Sequence, residues 1–367
     1  MFTIAIIRPV GHNVGNDAIN FSLRHMLSEA FGRLISIVEY PATNKYGGAS
    51  KYGLTSESIH AINRYADGVI VGGGNLFEND EIDVDNRALK ALQPPLMLFS
   101  NSRGRIFDRR GNLSNRSDVI ADEKLANLLE RADISLSRDS ATHRHLRLIN
   151  DKDQLGWCPT INMQRYSQHL PDLPEREEVG ALISVRTPGL MNVPFRFQSN
   201  IQSHIETVID GLRANGHKRV RILCNDSRDL DFATTFRYTK GVDSIYSSDV
   251  YQYLALLKNA DILVSYRLHA TLPAMSFGVP TVNIAYDERA VSLFNDLGLQ
   301  NAYINMVEEG DDFTDKLLGD VDRGGYLLCE STDLVEKWKT IADRQFEQIS
   351  LFRNMVESYV HSGVTES

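Results

Sequence analysis

Short apolar runs alternate along this chain with longer stretches whose apolar residues recur at helical spacing. In the first half the strand-like runs are "TIAIIR", "LISIVEY", "GVIVGGG", "PLMLFS" and "DISLSR", with "DAINFSLRHMLSEAF" and "EKLANLLERA" as helices between them. Strand, helix, strand in sequence implies a parallel sheet covered on both faces. Prolines and charges then cluster over residues 168–178, "QHLPDLPEREE", as they do in a linker. The alternation restarts with "VGALISVR", a helix near 199–214, "RVRILC", a helix near 228–238, "VDSIY", the helical "VYQYLALLKNA", "DILVSY", a short helix and "TVNIAY". The pattern predicts an α/β protein with two doubly wound halves facing a cleft. The first Rossmann-like domain covers 1–167, the linker 168–178 and the second domain 179–330. Within 331–367 a helix from about Leu334 to Tyr359 is expected to pack back on the first domain.

Length and composition narrow the class. The 367 residues fit about two domains. Hydrophobic content of 42% with 24% charged residues favours a globular, soluble protein. No apolar run approaches the ~20 residues that span a bilayer. The opening "MFTIAIIRPVG" lacks a charged leader and reads as a first strand, which predicts the cytoplasm, with any membrane contact peripheral and at the inner face. Cys158, Cys224 and Cys329 are odd in number and far apart, so neither a disulfide framework nor a zinc site is expected. No H-E-x-x-H and no strand-end acidic pair with ligand spacing calls for a metal. The net charge of -9 argues against non-specific nucleic-acid binding but leaves room for a small anionic substrate, which local charge decides.

In doubly wound sheets ligands bind outside the carboxyl ends of the strands, beside helix N-termini. After the first strand comes "GHNVGNDAI". Gly11 and Gly15 suit a tight turn and Asp17 a helix cap, but that reading leaves Asn13 and Asn16 over. The spacing is not G-x-G-x-x-G, and no P-loop occurs. After the third strand "GGGNLF" brings Gly73, Gly74 and Asn75 close to a ligand or to the neighbouring helix. After the fifth, Arg138 and Asp139 suit a mutual pair, with Asp139 or Ser140 as helix cap, and a catalytic role is the other reading of the motif. The loop holding Arg103, Arg105, Arg109, Arg110 and Arg116 reads as solvated surface or as a basic lid over an anion.

The most informative stretch is "SYRLHATLPAMSFGVP". It predicts a turn at Arg267, Leu268 and His269, then a helix over Ala270–Phe277 stopped by Gly278, with Pro273 in or near its first turn. Arg267 and His269 then stand at a helix N-terminus, where anions are favoured. Arg186 ends another strand. Arginine grips carboxylate and phosphate through paired hydrogen bonds, so two arginines beside a histidine suit a small ligand carrying both groups.

These motifs together resemble the polysaccharide pyruvyl transferase family. They are N-x-G-N-D-A-I over Asn13–Ile19, G-G-G-x-L over Gly72–Leu76, S-R-D-S over Ser137–Ser140, and R-L-H-A from Arg267 with G-V-P and I-A-Y following. The resemblance implies a glycosyltransferase-B-like fold of two Rossmann-type domains. It implies transfer of a pyruvyl group from phosphoenolpyruvate to two hydroxyls of a sugar in a polysaccharide or glycan precursor, giving a ketal and phosphate. Arg186, Arg267 and Leu268 would contact phosphoenolpyruvate, His269 would be the acid–base residue, and the first domain would hold the acceptor, lipid-linked or free. Asn13, Asn16, Asp17, Gly73, Gly74, Asn75 and Arg289 complete the expected binding set, with no cofactor beyond the donor. Two departures stand out. Arg289 replaces a frequent lysine, and "LFSNSRGRIF" replaces a G-x-S-x-G-P-like loop on the acceptor side. A nucleotide-sugar glycosyltransferase or epimerase of the same fold, and a non-catalytic glycan-binding protein, are the alternative readings.

Overall fold

The structure, a computed structural model, describes residues 1–45, 47–108, 110–116, 118–174 and 178–364. Its first half runs β1 (Phe2–Arg8), α1 (Val14–Phe31), β2 (Ile35–Pro41), α2 (Ser56–Tyr65), β3 (Gly68–Gly74), α3 (Asn86–Leu89), β4 (Leu96–Asn101), a hairpin of β5 (Ile106–Phe107) and β6 (Leu113–Ser114), α4 (Asp122–Arg131), β7 (Ile134–Ser137), α5 (Ser140–Ile149) and β8 (Asp153–Leu155). The second half runs β9 (Ala181–Val185), α6 (Phe195–Gln198), α7 (Ile201–Ala214), β10 (Val220–Cys224), α8 (Leu230–Lys240), β11 (Ser244–Tyr246), α9 (Val250–Lys258), β12 (Ile262–Ser265), α10 (Leu268–Ser276), β13 (Thr281–Ala285), α11 (Glu288–Asp296), β14 (Ile304–Asn305), α12 (Met306–Glu309) and α13 (Phe313–Asp322). Helix α14 (Thr332–Val364) follows.

Two six-stranded sheets result, ordered β2-β1-β3-β4-β7-β8 and β11-β10-β9-β12-β13-β14. Every pairing within them is parallel. Strands β3, β4, β9, β10, β12 and β13 are buried at every position, because helices cover both faces. The strand order reverses between β1 and β3 in the first sheet and between β9 and β12 in the second. These are the switch points where an open sheet leaves a crevice. Asn13 and Asn75 follow the first pair of strands, and Arg186 and Arg267 follow the second.

Apolar packing runs without a break between the halves. One cluster joins Ile4, Phe21 and Met26 to Tyr253, Leu257 and Ala270. A 3-10 segment, Pro159–His169, leads out of the first half. Of the expected linker, Glu175, Arg176 and Glu177 lie outside the described residues. Helix α14 spans both halves: its first turns lie against the second, where Trp338 donates to the Leu297 carbonyl at 3.3 Å, and only its later turns lie against the first, as expected of the whole helix. A Cβ at Gly68 would sit 2.7 Å from Val356 and 2.9 Å from Phe352, and Arg353 donates to the Ala30 carbonyl at 2.9 Å.

The stretch from Arg267 differs from its expected form. The helix opens at Leu268, not Ala270, and ends at Ser276. Arg267 is its extended N-cap, with φ -128° and ψ 113°, and its carbonyl already accepts from Ala270 and Thr271. Pro273 is therefore inside the helix and not in its first turn. It cannot donate to the carbonyl of His269, four residues back. The hydroxyl of Tyr253 donates to that carbonyl instead, at 3.1 Å. Tyr253 in turn accepts from Asn225, which accepts from Ser184 at 2.7 Å.

Candidate active site

A cavity of about 320 Å³ opens between the carboxyl ends of the two sheets. Of the expected residues it is lined by Asn13, Asn16, Asn75, Arg186, Arg267, Leu268, His269 and Arg289. It is also lined by Arg138, Tyr266, Tyr286 and Asp287, which the expected binding set lacks.

His269, on the first turn of α10, meets the first half on two sides. A Cβ on Gly15 would lie 2.8 Å from its Cβ and from its Nδ1, so the start of α1 fits against the ring only because residue 15 has no side chain. From β7, Arg138 reaches across and places Nη1 3.3 Å from Nε2 of His269, while its Nη2 donates to Ser102 Oγ at 2.6 Å. A guanidinium has no acceptor, so it donates to Nε2 and the ring's proton belongs on Nδ1. Burial holds the imidazole's pKa well below its ordinary value, and Arg138, Arg267 and Arg289 push it the same way. These surroundings favour the neutral ring.

Four guanidiniums line the cavity with this ring, and the carboxylates that hold three of them lie behind. Arg186 pairs with Asp226 at 3.1 Å and Asp229 at 3.7 Å, and both acids are fully buried. Arg267 stands 3.8 Å from Asp229. Arg289 bridges Glu78, at 2.8 Å, and Asp287. Burial lowers the pKa of Arg289, but Asp287 and Glu78 more than offset it and raise it overall. Burial and the nearby Arg267 lower that of Arg186. Burial raises that of Glu78 despite Arg289, Arg138 and the hydrogen bond from Ser102. The guanidiniums keep some exposure to the cavity while their acids have almost none, so their unused N–H groups point at whatever fills it. The buried Oδ1 of Asn16 and the hydroxyl of Tyr266 lack hydrogen-bond partners among the described residues.

Several expectations need correction. Asp17 neither caps α1 nor lines the cavity. Asn13 is the N-cap, accepting from Gly15 N–H, and Asp17 pairs with Arg8 at 2.7 Å. Gly73 and Gly74 do not line it either. Both have positive φ, and a Cβ on Gly73 would meet Ile19 at 2.3 Å and one on Gly74 the Asn16 side chain at 3.0 Å. The triple glycine admits the close approach of helix α1. Asp139 does cap α5, accepting from Thr142, and burial raises its pKa to about 6. Arg138, expected beside it, turns to the cavity. In the basic loop Arg103 pairs with Asp122 at 3.3 Å, Arg105 with Glu288 at 2.5 Å and Arg116 with Asp118 at 2.6 Å. Arg109 lies outside the described residues. Arg138 was findable by the rule that singled out Arg186, since each directly follows a strand. Glu78, Asp226, Asp229 and Asp287 reach the site through packing that sequence spacing does not reveal.

Among the described residues no helix is long and apolar enough to cross a membrane, and no group of His, Cys, Asp and Glu is placed to hold a metal ion. The family pattern described as Polysaccharide pyruvyl transferase matches residues 13–288. No curated protein sequence matches the chain. Solved structures resemble it at low identity. The UDP-N-acetylglucosamine 2-epimerase of Rickettsia bellii is 11% identical, with a TM-score of 0.59, covering 99% of this chain and 98% of its own. That of Methanocaldococcus jannaschii, in complex with UDP-GlcNAc and UDP, is 13% identical, with a TM-score of 0.52 and coverage of 88% and 92%. That of Neisseria meningitidis, bound to UDP-GlcNAc, is 10% identical, with a TM-score of 0.51 over 100% of both chains. At such identity the likeness is one of fold, the glycosyltransferase-B type with two Rossmann-like sheets.

Proposed function

The chain belongs to the polysaccharide pyruvyl transferase family, and from that premise we propose that it moves a pyruvyl group from phosphoenolpyruvate onto two hydroxyls of one sugar. The observation that carries this reading is the ring of Arg138, Arg186, Arg267 and Arg289 around His269. Phosphoenolpyruvate is compact and bears a phosphate and a carboxylate on neighbouring atoms. Two arginines from the second sheet suit one end of it, and Arg138 from the first half suits the other.

Protonation of the methylene carbon of phosphoenolpyruvate gives a methyl group beside an oxocarbenium-like carbon. A sugar hydroxyl adds there and loses its proton. The C–O bond to phosphate then breaks, and the second hydroxyl closes the ketal and loses its proton. Two protons leave the hydroxyls and one enters the methyl group, so the remaining one departs with phosphate or to water. We assign their transfer to His269, whose imidazole lines the cavity. Burial and the guanidiniums favour its neutral form, which suits it to accept a proton from a hydroxyl. When the anionic donor occupies the guanidiniums, their repulsion on the ring is offset. Its pKa then rises and it can hold the proton that carbon needs. The guanidiniums stabilise the departing phosphate.

Asn13, Asn16 and Asn75, at the switch point of the first sheet, fit the acceptor's hydroxyls. The test is release of phosphate from phosphoenolpyruvate with a panel of hexosides, together with a thermal-shift comparison of phosphoenolpyruvate against UDP- and GDP-sugars. Acceptor-dependent phosphate release is expected. Stabilisation by a nucleotide sugar and none by phosphoenolpyruvate would transfer the cleft to the epimerase or glycosyltransferase reading, and binding of glycans without turnover to the non-catalytic one.

A further inference from the structure

A second cavity, of about 210 Å³, adjoins the first. Arg116 lines both. The chain from Asp287 to Arg289 forms the partition, with Glu288 facing the second cavity and its two neighbours the first. Gly104, in the second, packs directly on Arg289, since a Cβ there would lie 2.4 Å from Arg289 Cγ.

The charged lining of this second space is Arg103, Arg105, Arg116, Arg144 and His145, against Glu288. Arg105 is held by Glu288 and Arg116 by Asp118. Arg103 is less well matched. Its side chain is 12% exposed, and Asp122, 63% exposed, stands 3.3 Å away. The buried Nε of Arg103 has no hydrogen-bond partner among the described residues, and burial lowers its pKa because Asp122 offsets it only in part. Arg144 is exposed and donates to Ser140 Oγ at 3.4 Å. A neutral sugar has no use for so many guanidiniums, whereas an anion with oxygens along its length does.

The geometry points to a second anion site, built by Arg103, Arg116, Arg144 and His145, that holds the diphosphate of an acceptor whose sugar reaches past Arg116 into the main cavity. This inference rests on the sugar-acceptor reading above. Sugars carry a diphosphate as nucleoside diphosphate esters or as prenyl diphosphate esters, and the site recognises the group they share. Leu148, 86% exposed at its rim, offers an apolar contact that only the prenyl form would use.

The test is calorimetric titration of the full chain with uridine diphosphate and with farnesyl diphosphate, while saturating phosphoenolpyruvate fills the main cavity. At least one should bind, and Arg144→Glu should weaken it tenfold or more, the loss of a charge-assisted contact. The affinity for phosphoenolpyruvate should stay within about twofold, because Arg144 does not line the main cavity. Farnesyl diphosphate alone binding assigns a lipid-borne acceptor, uridine diphosphate alone a nucleotide-borne one, and both a site that reads the diphosphate itself. Absence of binding by either compound, or binding indifferent to Arg144→Glu, overturns the proposal. Failure of phosphoenolpyruvate to bind would count against the donor reading instead. The same titrations without it, compared between wild type and Arg144→Glu, would still decide the second site.

Discussion

His269 and the arginines around it are expected to fail differently when replaced. Arg186→Ala and Arg267→Ala each remove charge-assisted bonds to the donor and should weaken phosphoenolpyruvate binding by ~1.5–3 kcal/mol, about ten- to a hundredfold. His269→Asn should leave donor affinity within a few-fold and reduce turnover by ~10²–10⁴. Calorimetry and phosphate release on the three variants check this, and near-normal turnover by His269→Asn would make the histidine structural. The pH behaviour follows from the sign of the shift. Burial and three guanidiniums favour the neutral ring, so His269 should not titrate between pH 6 and 8 in the free protein. A bound anion favours the charged ring, so proton uptake should accompany phosphoenolpyruvate binding near neutral pH. Histidine NMR with and without the donor reads both states. Gly15→Ala tests the contact from the other side. Alanine gains at most ~1 kcal/mol in helix propensity, while overpacking against His269 costs ~1–3 kcal/mol. A net loss of stability in urea and a fall in turnover of at least tenfold are expected, with the turnover loss as the mark of a displaced ring.

Among the elements, α10 shows most clearly how the site is held. Its interior proline frees the His269 carbonyl, and Tyr253 on α9 occupies it. Tyr253→Phe leaves that carbonyl and the Asn225 amide each short of a partner in a fully buried place. It should cost ~1–3 kcal/mol in urea unfolding, and a cost near zero would mean that the hydroxyl does not anchor the helix. The elements differ in how plainly their residues announce them. Strands such as β3 and β12 are covered on both faces, so they read as unbroken apolar runs. The edge strands β8 and β14 are three and two residues long and leave no pattern to read. Arg186, Arg267 and His269 stand out because chain order alone puts them at strand ends. The role of the triple glycine did not, because whether a bare backbone admits a ligand or Ile19 depends on where α1 lies. The start of α10 was misjudged for a related reason: a proline ordinarily marks a first turn, and only the remote Tyr253 makes this one tolerable further in.

At the scale of the whole molecule, the two sheets meet across a cleft that draws Arg138 from one and Arg186, Arg267 and Arg289 from the other. The bidentate contact of Arg105 with Glu288, Nε to Oε2 and Nη2 to Oε1, ties the halves at the rim. Helix α14 returns from the far end of the described chain to cover β3 and α1, and Ile349, Phe352 and Val356 become part of the first half's core. That return has a consequence for biosynthesis. A ribosome delivers the first half early but withholds one wall of its interior until residues beyond 331 emerge. The largest cluster confined to the second half is drawn from 181–321 apart from Phe107 and needs no such wait, and only the patch of Leu293, Leu297 and Leu299 lacks its cover of Trp338 and Ile341 until then. The half made first should therefore be completed last. Chains arrested at residue 331 should yield a first half that is cut rapidly and a second half cut only around Leu293–Leu299, which Trp338 and Ile341 would cover, and supplying the 332–364 peptide should restore resistance at both places. Equal resistance of both halves in the arrested chain would show that α14 covers a core already closed without it.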